Sequence, residues 1–226
     1  MPGLAEAPLT VMQERIRFME RLHPGRVVYN TPSAHRLRGD FDRAAFESAL
    51  RALVQRQPAL RTAIVDEADD ADGGAVQRVL PQVPWHLPFT DLSATPASQR
   101  EGELLRRMQA VIDEPMPLAR APLFRMALYR LAPEEHVFLF MPHHMVWDGW
   151  SFDLLYQEMA ELLPATLEGR LPKLTPLPVD YLDFSLWHAR WMQGDECAAQ
   201  VQWWKKRYAA VEPPRPLPTD RARRAG

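Results

Sequence analysis

The chain has 226 residues, 46% of them hydrophobic and 25% charged, with a formal net charge of −2: enough apolar material for a substantial core, and no charge excess that asks for a nucleic acid or an anionic membrane. One cysteine, Cys197, excludes an internal disulfide and fits a reducing compartment. The opening MPGLAEAPLT has neither the basic segment nor the apolar core of a signal peptide and no run is long enough to cross a bilayer, so the expectation is a cytoplasmic protein with no nucleic-acid and no membrane partner.

Thr10 and Gln13 form a capping-box pattern that predicts a helix to about Leu22. Residues 26–39 read as extended. Asp42 caps a second helix with an apolar stripe of Phe46, Leu50, Leu53 and Val54, and Pro58 stops it. The acidic run 66–72 with Gly73 and Gly74 reads as a solvated hairpin loop between extended segments 60–65 and 76–80. Residues 85–89 suit only a short edge strand, because Pro84 and Pro88 lack N–H groups. Residues 96–114 are predicted helical with Leu104, Leu105, Met108 and Ile112 inward. Residues 123–131 alternate as a half-buried strand beside the fully apolar strand 136–141.

That strand runs into the most informative segment of the chain, Met141-Pro142-His143-His144-Met145-Val146-Trp147-Asp148-Gly149-Trp150-Ser151. Ser151 is the expected N-cap of a helix whose Phe152, Leu155, Met159 and Leu162 face inward. The two histidines therefore sit on a strand-to-helix turn, where a rigid side chain is readily presented to a ligand. Neighbours on extended backbone point opposite ways, so one histidine works while the other packs, and the two do not converge on a metal. A connector with Pro164, Pro172, Pro176 and Pro178 follows, then helices near 179–193 and 196–210 whose aromatics read as packing surface. The basic, proline-rich segment 205–226 reads as an exposed linker. Cys197 has no base beside it and is not expected to act as a nucleophile.

The turn resembles the HHxxxDG signature of nonribosomal peptide synthetase condensation domains and the wider chloramphenicol acetyltransferase-like acyltransferases. Other stretches resemble condensation-domain motifs in the family's order. They are residues 9–15 (LTVMQER, the opening helix), 56–62 (RQPALRT, against RHExLRT), 181–187 (YLDFSLW, against YxDFAVW) and 217–221 (LPTDR, against LPTDRPR). Two positions depart from the pattern: Gln57-Pro58-Ala59 replaces the usual His and Glu, and Trp147 stands where serine is common.

The resemblance implies an α+β fold, a chloramphenicol acetyltransferase-like lobe with a mixed sheet and helices packed on it. Residues 1–178 would form the N-terminal lobe, and 179–226 a helical extension and linker towards a C-terminal lobe. It implies an acyltransferase that forms an amide between thioesters carried on the 4′-phosphopantetheine of donor and acceptor peptidyl carrier proteins, with no cofactor bound directly and no metal. A complete condensation domain is about twice this length, above the usual size of one domain. This chain therefore reads as the N-terminal half, inactive without the second lobe and flanked by other synthetase domains. His144 is the family's functional histidine. His143, Asp148, Gly149 and Arg61 are expected to support it, with Arg61 paired to Asp148 and Gly149 allowing positive φ or a close backbone approach. Tyr29, Asn30, Trp150 and Ser151 are further candidates for the channel wall. Two alternatives stand beside this reading: a self-contained trimeric acetyltransferase, or a non-catalytic lobe that only docks a carrier protein.

Overall fold

The capping box at Thr10 does what its spacing asks. Its hydroxyl accepts the Gln13 N–H at 3.3 Å while Gln13 Oε1 accepts the Thr10 N–H at 3.0 Å, and α1 runs over Val11–Leu22. The computed structural model describes residues 5–66, 74–212 and 220. Before α1 lies a short strand, β1 (Glu6–Pro8), which periodicity did not reveal because three residues carry no pattern. Strand β2 (Ser33–Arg38) precedes α2 (Arg43–Arg56), whose N-cap Asp42 accepts the Ala45 N–H at 2.9 Å. Pro58 ends α2 and opens a 3-10 turn, Pro58–Arg61.

Strands β3 (Thr62–Asp66) and β4 (Ala75–Val79) pair antiparallel, and β1 adds to β4, giving a three-stranded sheet of order β1-β4-β3. The predicted loop between β3 and β4 falls largely on residues 67–73, outside the described residues, as do 213–219 and 221–226 of the predicted linker. A second sheet of four strands contains β5 (Phe89–Asp91), β6 (Phe124–Ala132) and β7 (Glu135–Pro142) in the order β2-β7-β6-β5. It is mixed: β5 runs parallel to β6, and the other pairs are antiparallel. The edge strand expected over 85–89 begins only at Phe89, after the prolines that cannot donate to a ladder.

Strand β6 is buried on both faces rather than half-buried. Phe124, Met126 and Leu128, with Phe138 and Phe140 of β7, pack against Leu50, Leu53 and Val54 of α2 and Leu155 and Leu162 of α4 (Gly149–Leu167). On the opposite face Ala127, Tyr129 and Leu131 meet Leu104 and Met108 of α3 (Ala97–Ile112). Leu105, expected inward, is exposed: its turn of α3 presents only Leu104 and Met108 to the sheet. Helices α2 and α4 are also tied by a buried carboxylate, Glu158, which accepts from Arg56 Nε at 2.9 Å and Gln57 Nε2 at 2.8 Å. Gln57 thus makes a structural contact at the position where the motif pattern has histidine.

Helix α4 starts at Gly149, with Asp148 as N-cap, three residues ahead of the expected Ser151. At its other end the helix carries Pro164 inside its last turn, where burial of Leu162 and Ala165 against the core offsets the lost N–H, and Gly169 turns the chain with φ +66°. The chain divides into two compact units, Met1–Leu186 and Trp187–Gly226. The first turns of α5 (Tyr181–Met192) are anchored in the first unit. There Leu182 is buried and the Ser185 hydroxyl donates to the Pro8 carbonyl. In the second unit α6 (Asp195–Tyr208) exposes Trp203, Trp204 and Tyr208, while Cys197 is buried with its Sγ 3.9 Å from Met192 Sδ. No helix among the described residues is long and apolar enough to cross a membrane.

Candidate active site

Beyond Pro142, His143 still bridges to a neighbouring segment and His144 opens a turn. His143 N–H donates to the Leu123 carbonyl and His144 N–H to the Tyr29 carbonyl, each at 2.8 Å, and His143 bridges Asn30. His143 is buried, 2% exposed, and His144 is exposed and lines an open cavity of about 540 Å³.

The two rings have opposite proton arrangements, and their partners dictate this. His143 Nδ1 receives the Met145 N–H at 3.1 Å, so Nδ1 is bare and the ring proton is on Nε2, 3.8 Å from Glu20 Oε1. Burial, and secondarily the neighbouring His144, lowers the His143 pKa to about 4, while burial raises that of Glu20. His144 Nδ1 lies 2.7 Å from the Trp147 carbonyl oxygen. A carbonyl only accepts, so Nδ1 carries the proton and the lone pair of the neutral ring is on Nε2. In the neutral ring His144 Nε2 is therefore a hydrogen-bond acceptor.

The turn that carries this ring is held by several elements. Val146 N–H closes on the His143 carbonyl at 3.1 Å, and Gln13 Nε2 of α1 donates to the Met145 carbonyl at 3.3 Å. Asp148 Oδ1 accepts the Ser151 N–H at 2.8 Å and its hydroxyl at 2.7 Å, capping α4 where the helix N-terminus favours negative charge. Trp147 is buried against Phe140 and Phe152, with ring centroids 5.1 and 5.5 Å away. The indole at the position where serine is common thus fills core beneath the turn as well as lining the cavity.

Three expectations are corrected. The Asp148–Arg61 pair does not form: the Arg61 guanidinium donates to carbonyls of Val54 (3.2 Å), Gln55 (3.2 Å), Pro81 (3.4 Å) and Leu80. Arg61 thereby neutralises the carbonyl end of α2, a position that favours a cation, and Asp148 is satisfied by its own helix. Gly149 has no positive φ, and a Cβ placed on it meets nothing within 4 Å, so neither proposed reason for glycine applies. Asn30 is not on the cavity wall; its amide donates to the Ile112 and Glu114 carbonyls at 2.7 and 3.3 Å. Tyr29, Trp150 and Ser151 do line it.

Sequence reasoning missed Gln13, Gln77 and Tyr181 as cavity residues. The capping-box glutamine was readable as a helix start, but its second hydrogen bond, across 132 positions, was not. Among the described residues no three His, Cys, Asp or Glu side chains group as a metal site.

The condensation-domain family profile matches residues 4–226. This chain belongs to the condensation-domain family. One of the proteins that make up the linear gramicidin synthase of Brevibacillus parabrevis is 40% identical over 98% of this condensation-domain chain, which spans 4% of that protein. Phosphinothricin tripeptide synthetase PhsC of Streptomyces viridochromogenes is 35% identical over 96% of the chain, which spans 20% of it. Among solved structures, the starter condensation domain of rhizomide synthetase RzmA superposes with a TM-score of 0.82 and 27% identity, covering 93% of this chain and 50% of that one. The first condensation domain of the CDA synthetase shares the fold, with a TM-score of 0.78 and coverage of 92% and 52%. The chain therefore corresponds to about half of each solved condensation domain, in the chloramphenicol acetyltransferase-like fold expected from the motifs.

Proposed function

We propose that this chain is the His144-bearing half of a condensation domain that joins two carrier-bound substrates through an amide. The amine of the acceptor attacks the thioester carbonyl of the donor. A C–N bond forms, the C–S bond breaks, the amine proton passes to His144 Nε2, and the departing phosphopantetheine thiolate takes a proton. A free α-amine with pKa near 8 is about one-tenth neutral at pH 7, so abstraction before attack is not required. What grows during attack is positive charge on nitrogen, and a bare Nε2 is placed to accept it. An aligned general base contributes a factor of about 10²–10⁴, or roughly 3 to 5 kcal/mol.

The observation that carries this reading is the hydrogen bond of His144 Nδ1 to the Trp147 carbonyl, which leaves Nε2 as an acceptor in the cavity. The reading that the chain needs a second lobe is supported by α1, which is inverted. It buries Gln13 and Arg17 and turns Val11, Met12, Phe18 and Leu22 outward. Trp150 is likewise 73% exposed, and exposed large apolar side chains such as these suit a surface that a partner covers. The carrier proteins and neighbouring synthetase domains belong to the same proposal.

The test combines this chain, a polypeptide supplying the second half of a condensation domain, and donor and acceptor carrier proteins charged with aminoacyl-phosphopantetheine, and follows the dipeptidyl thioester by mass spectrometry. Product forms with both halves present and falls about 10²–10⁴-fold in His144→Ala. An undiminished rate in that variant removes the role of His144. Full turnover by the isolated chain removes the need for a second lobe.

A further inference from the structure

We infer that Gln13 and Gln77 are positioning residues for His144, acting as one buried amide pair; this rests on the reading of His144 as the working residue. Gln13 is 2% exposed and Gln77 1%. They come from different elements, α1 and β4, and face each other: Gln13 Nε2 donates to Gln77 Oε1 at 3.4 Å and Gln77 Nε2 to Gln13 Oε1 at 3.2 Å. Every remaining hydrogen of the pair is used. Gln77 Nε2 also donates to the Pro8 carbonyl at 3.0 Å, and Gln13 Nε2 to the Met145 carbonyl at 3.3 Å.

The orientation of the Gln13 amide is forced. The capping box needs Oε1 at the Thr10 N–H, 3.0 Å away, so Nε2 must face the other way, towards Met145. Met145 directly follows His144, and its carbonyl lies between the two turn contacts that set the ring: His143 carbonyl to Val146 N–H, and Trp147 carbonyl to His144 Nδ1. Fixing the Met145 carbonyl fixes the path of the chain to Trp147, and hence the oxygen that selects the His144 tautomer. Leu9, Ile64, Ala75, Leu123 and Met145 form one buried apolar cluster, and Gln13 and Gln77 also line the cavity. Two aliphatic side chains would fill such a site without desolvating four polar atoms. What the amides add is direction.

Gln13→Glu separates this role from simple support of the fold. Glutamate at this position of a capping box still accepts the Thr10 N–H, so the start of α1 is retained. An ionised carboxylate has no hydrogen for the Met145 carbonyl. The readout is the ¹⁵N spectrum of the His144 ring in the 226-residue chain, assigned by its loss in His144→Ala. In wild type the neutral ring carries its proton on Nδ1. In Gln13→Glu the proton distribution shifts towards Nε2, and kcat in the two-lobe assay falls about ten- to a hundred-fold with KM little changed.

A folded Gln13→Glu protein with the wild-type tautomer overturns the inference. Should Gln13→Glu fail to fold, Gln77→Met is read in the same way. It leaves the residues of α1 and the turn unchanged and removes the Gln77 contacts to Gln13 and to the Pro8 carbonyl, so a smaller shift in the same direction is expected and an unchanged ring overturns the inference. The spectrum does not depend on turnover: a ring that responds to Gln13 in a pair of lobes that make no amide would sink the proposed reaction and leave the positioning intact.

Discussion

Asp148 is closed on Ser151: one carboxylate oxygen takes both the backbone N–H and the hydroxyl of that residue, at 2.8 and 2.7 Å. Its carboxylate is committed to the start of α4, and its backbone carries the chain directly on from Trp147.

Asp148 and Arg61 should therefore behave as independent sites. Asp148→Ala removes an N-cap and should cost about 1 kcal/mol of stability. Arg61→Ala strips a guanidinium from carbonyls at the end of α2 and should also destabilise. With no shared partner, the two losses should add in a double-mutant cycle followed by urea unfolding, within about 0.5 kcal/mol. A coupling well above that would restore the ion pair.

The same two residues show where sequence legibility ended. The cap at Thr10, the stop at Pro58, the apolar run of β7 and the stripe of α4 were readable because each depends on neighbours within one or two turns. That one of His143 and His144 would pack while the other stayed accessible was readable, but His144 is placed by a turn and not by strand alternation. The partner of Arg61 did not follow, because carbonyl groups are present at every residue and leave no trace in the sequence. β1 was too short to show a period, and the clamp from Gln13 to Met145 joins residues that only the tertiary fold brings together.

Acid should destabilise the protein through His143. Its pKa is about 4 in the folded protein against 6.5 in an unfolded chain, so between those values the unfolded state binds a proton that the native state refuses. Stability falls as pH drops through that window, by up to about 1.4 kcal/mol per pH unit and roughly 3 kcal/mol in all, and levels off below it. His35 and His136, also lowered by burial, act in the same sense. Glu20, raised by burial, acts in the opposite sense, since the native state takes up its proton first and gains stability as pH falls. In His143→Asn an amide oxygen can accept the Met145 N–H without titrating. Urea midpoints from pH 7 to 4.5 should then show a shallower acid limb, and an identical slope would remove His143 as its source.

Trp147 and Trp150 stand three residues apart and should respond in opposite ways. Trp147 sits among Phe140, Phe152 and Leu155 in the main core, so Trp147→Ser should cost about 3 to 5 kcal/mol. It should also loosen the carbonyl that orients His144. Trp150 is 73% exposed, and Trp150→Ser should change stability by less than about 0.5 kcal/mol. Comparable losses in thermal or urea unfolding would show that the indole beneath the turn is not a core residue.

The outer face of α1 offers the most direct measure of whether a partner lobe is required. Val11, Phe18 and Leu22 recur at helical spacing on the side away from Gln13 and Arg17, and all three are exposed. Apolar side chains already in water contribute little to the stability of the isolated chain, so Phe18→Ser should leave its unfolding curve unchanged. If a second lobe covers this face, the same substitution removes apolar area on association worth roughly 2 kcal/mol, a factor of about 30 in the concentration of second-lobe polypeptide needed for half-maximal binding. Titration calorimetry of wild type and Phe18→Ser against that polypeptide reads the difference. Equal affinities would place the contact elsewhere and leave the exposed stripe of α1 without this explanation.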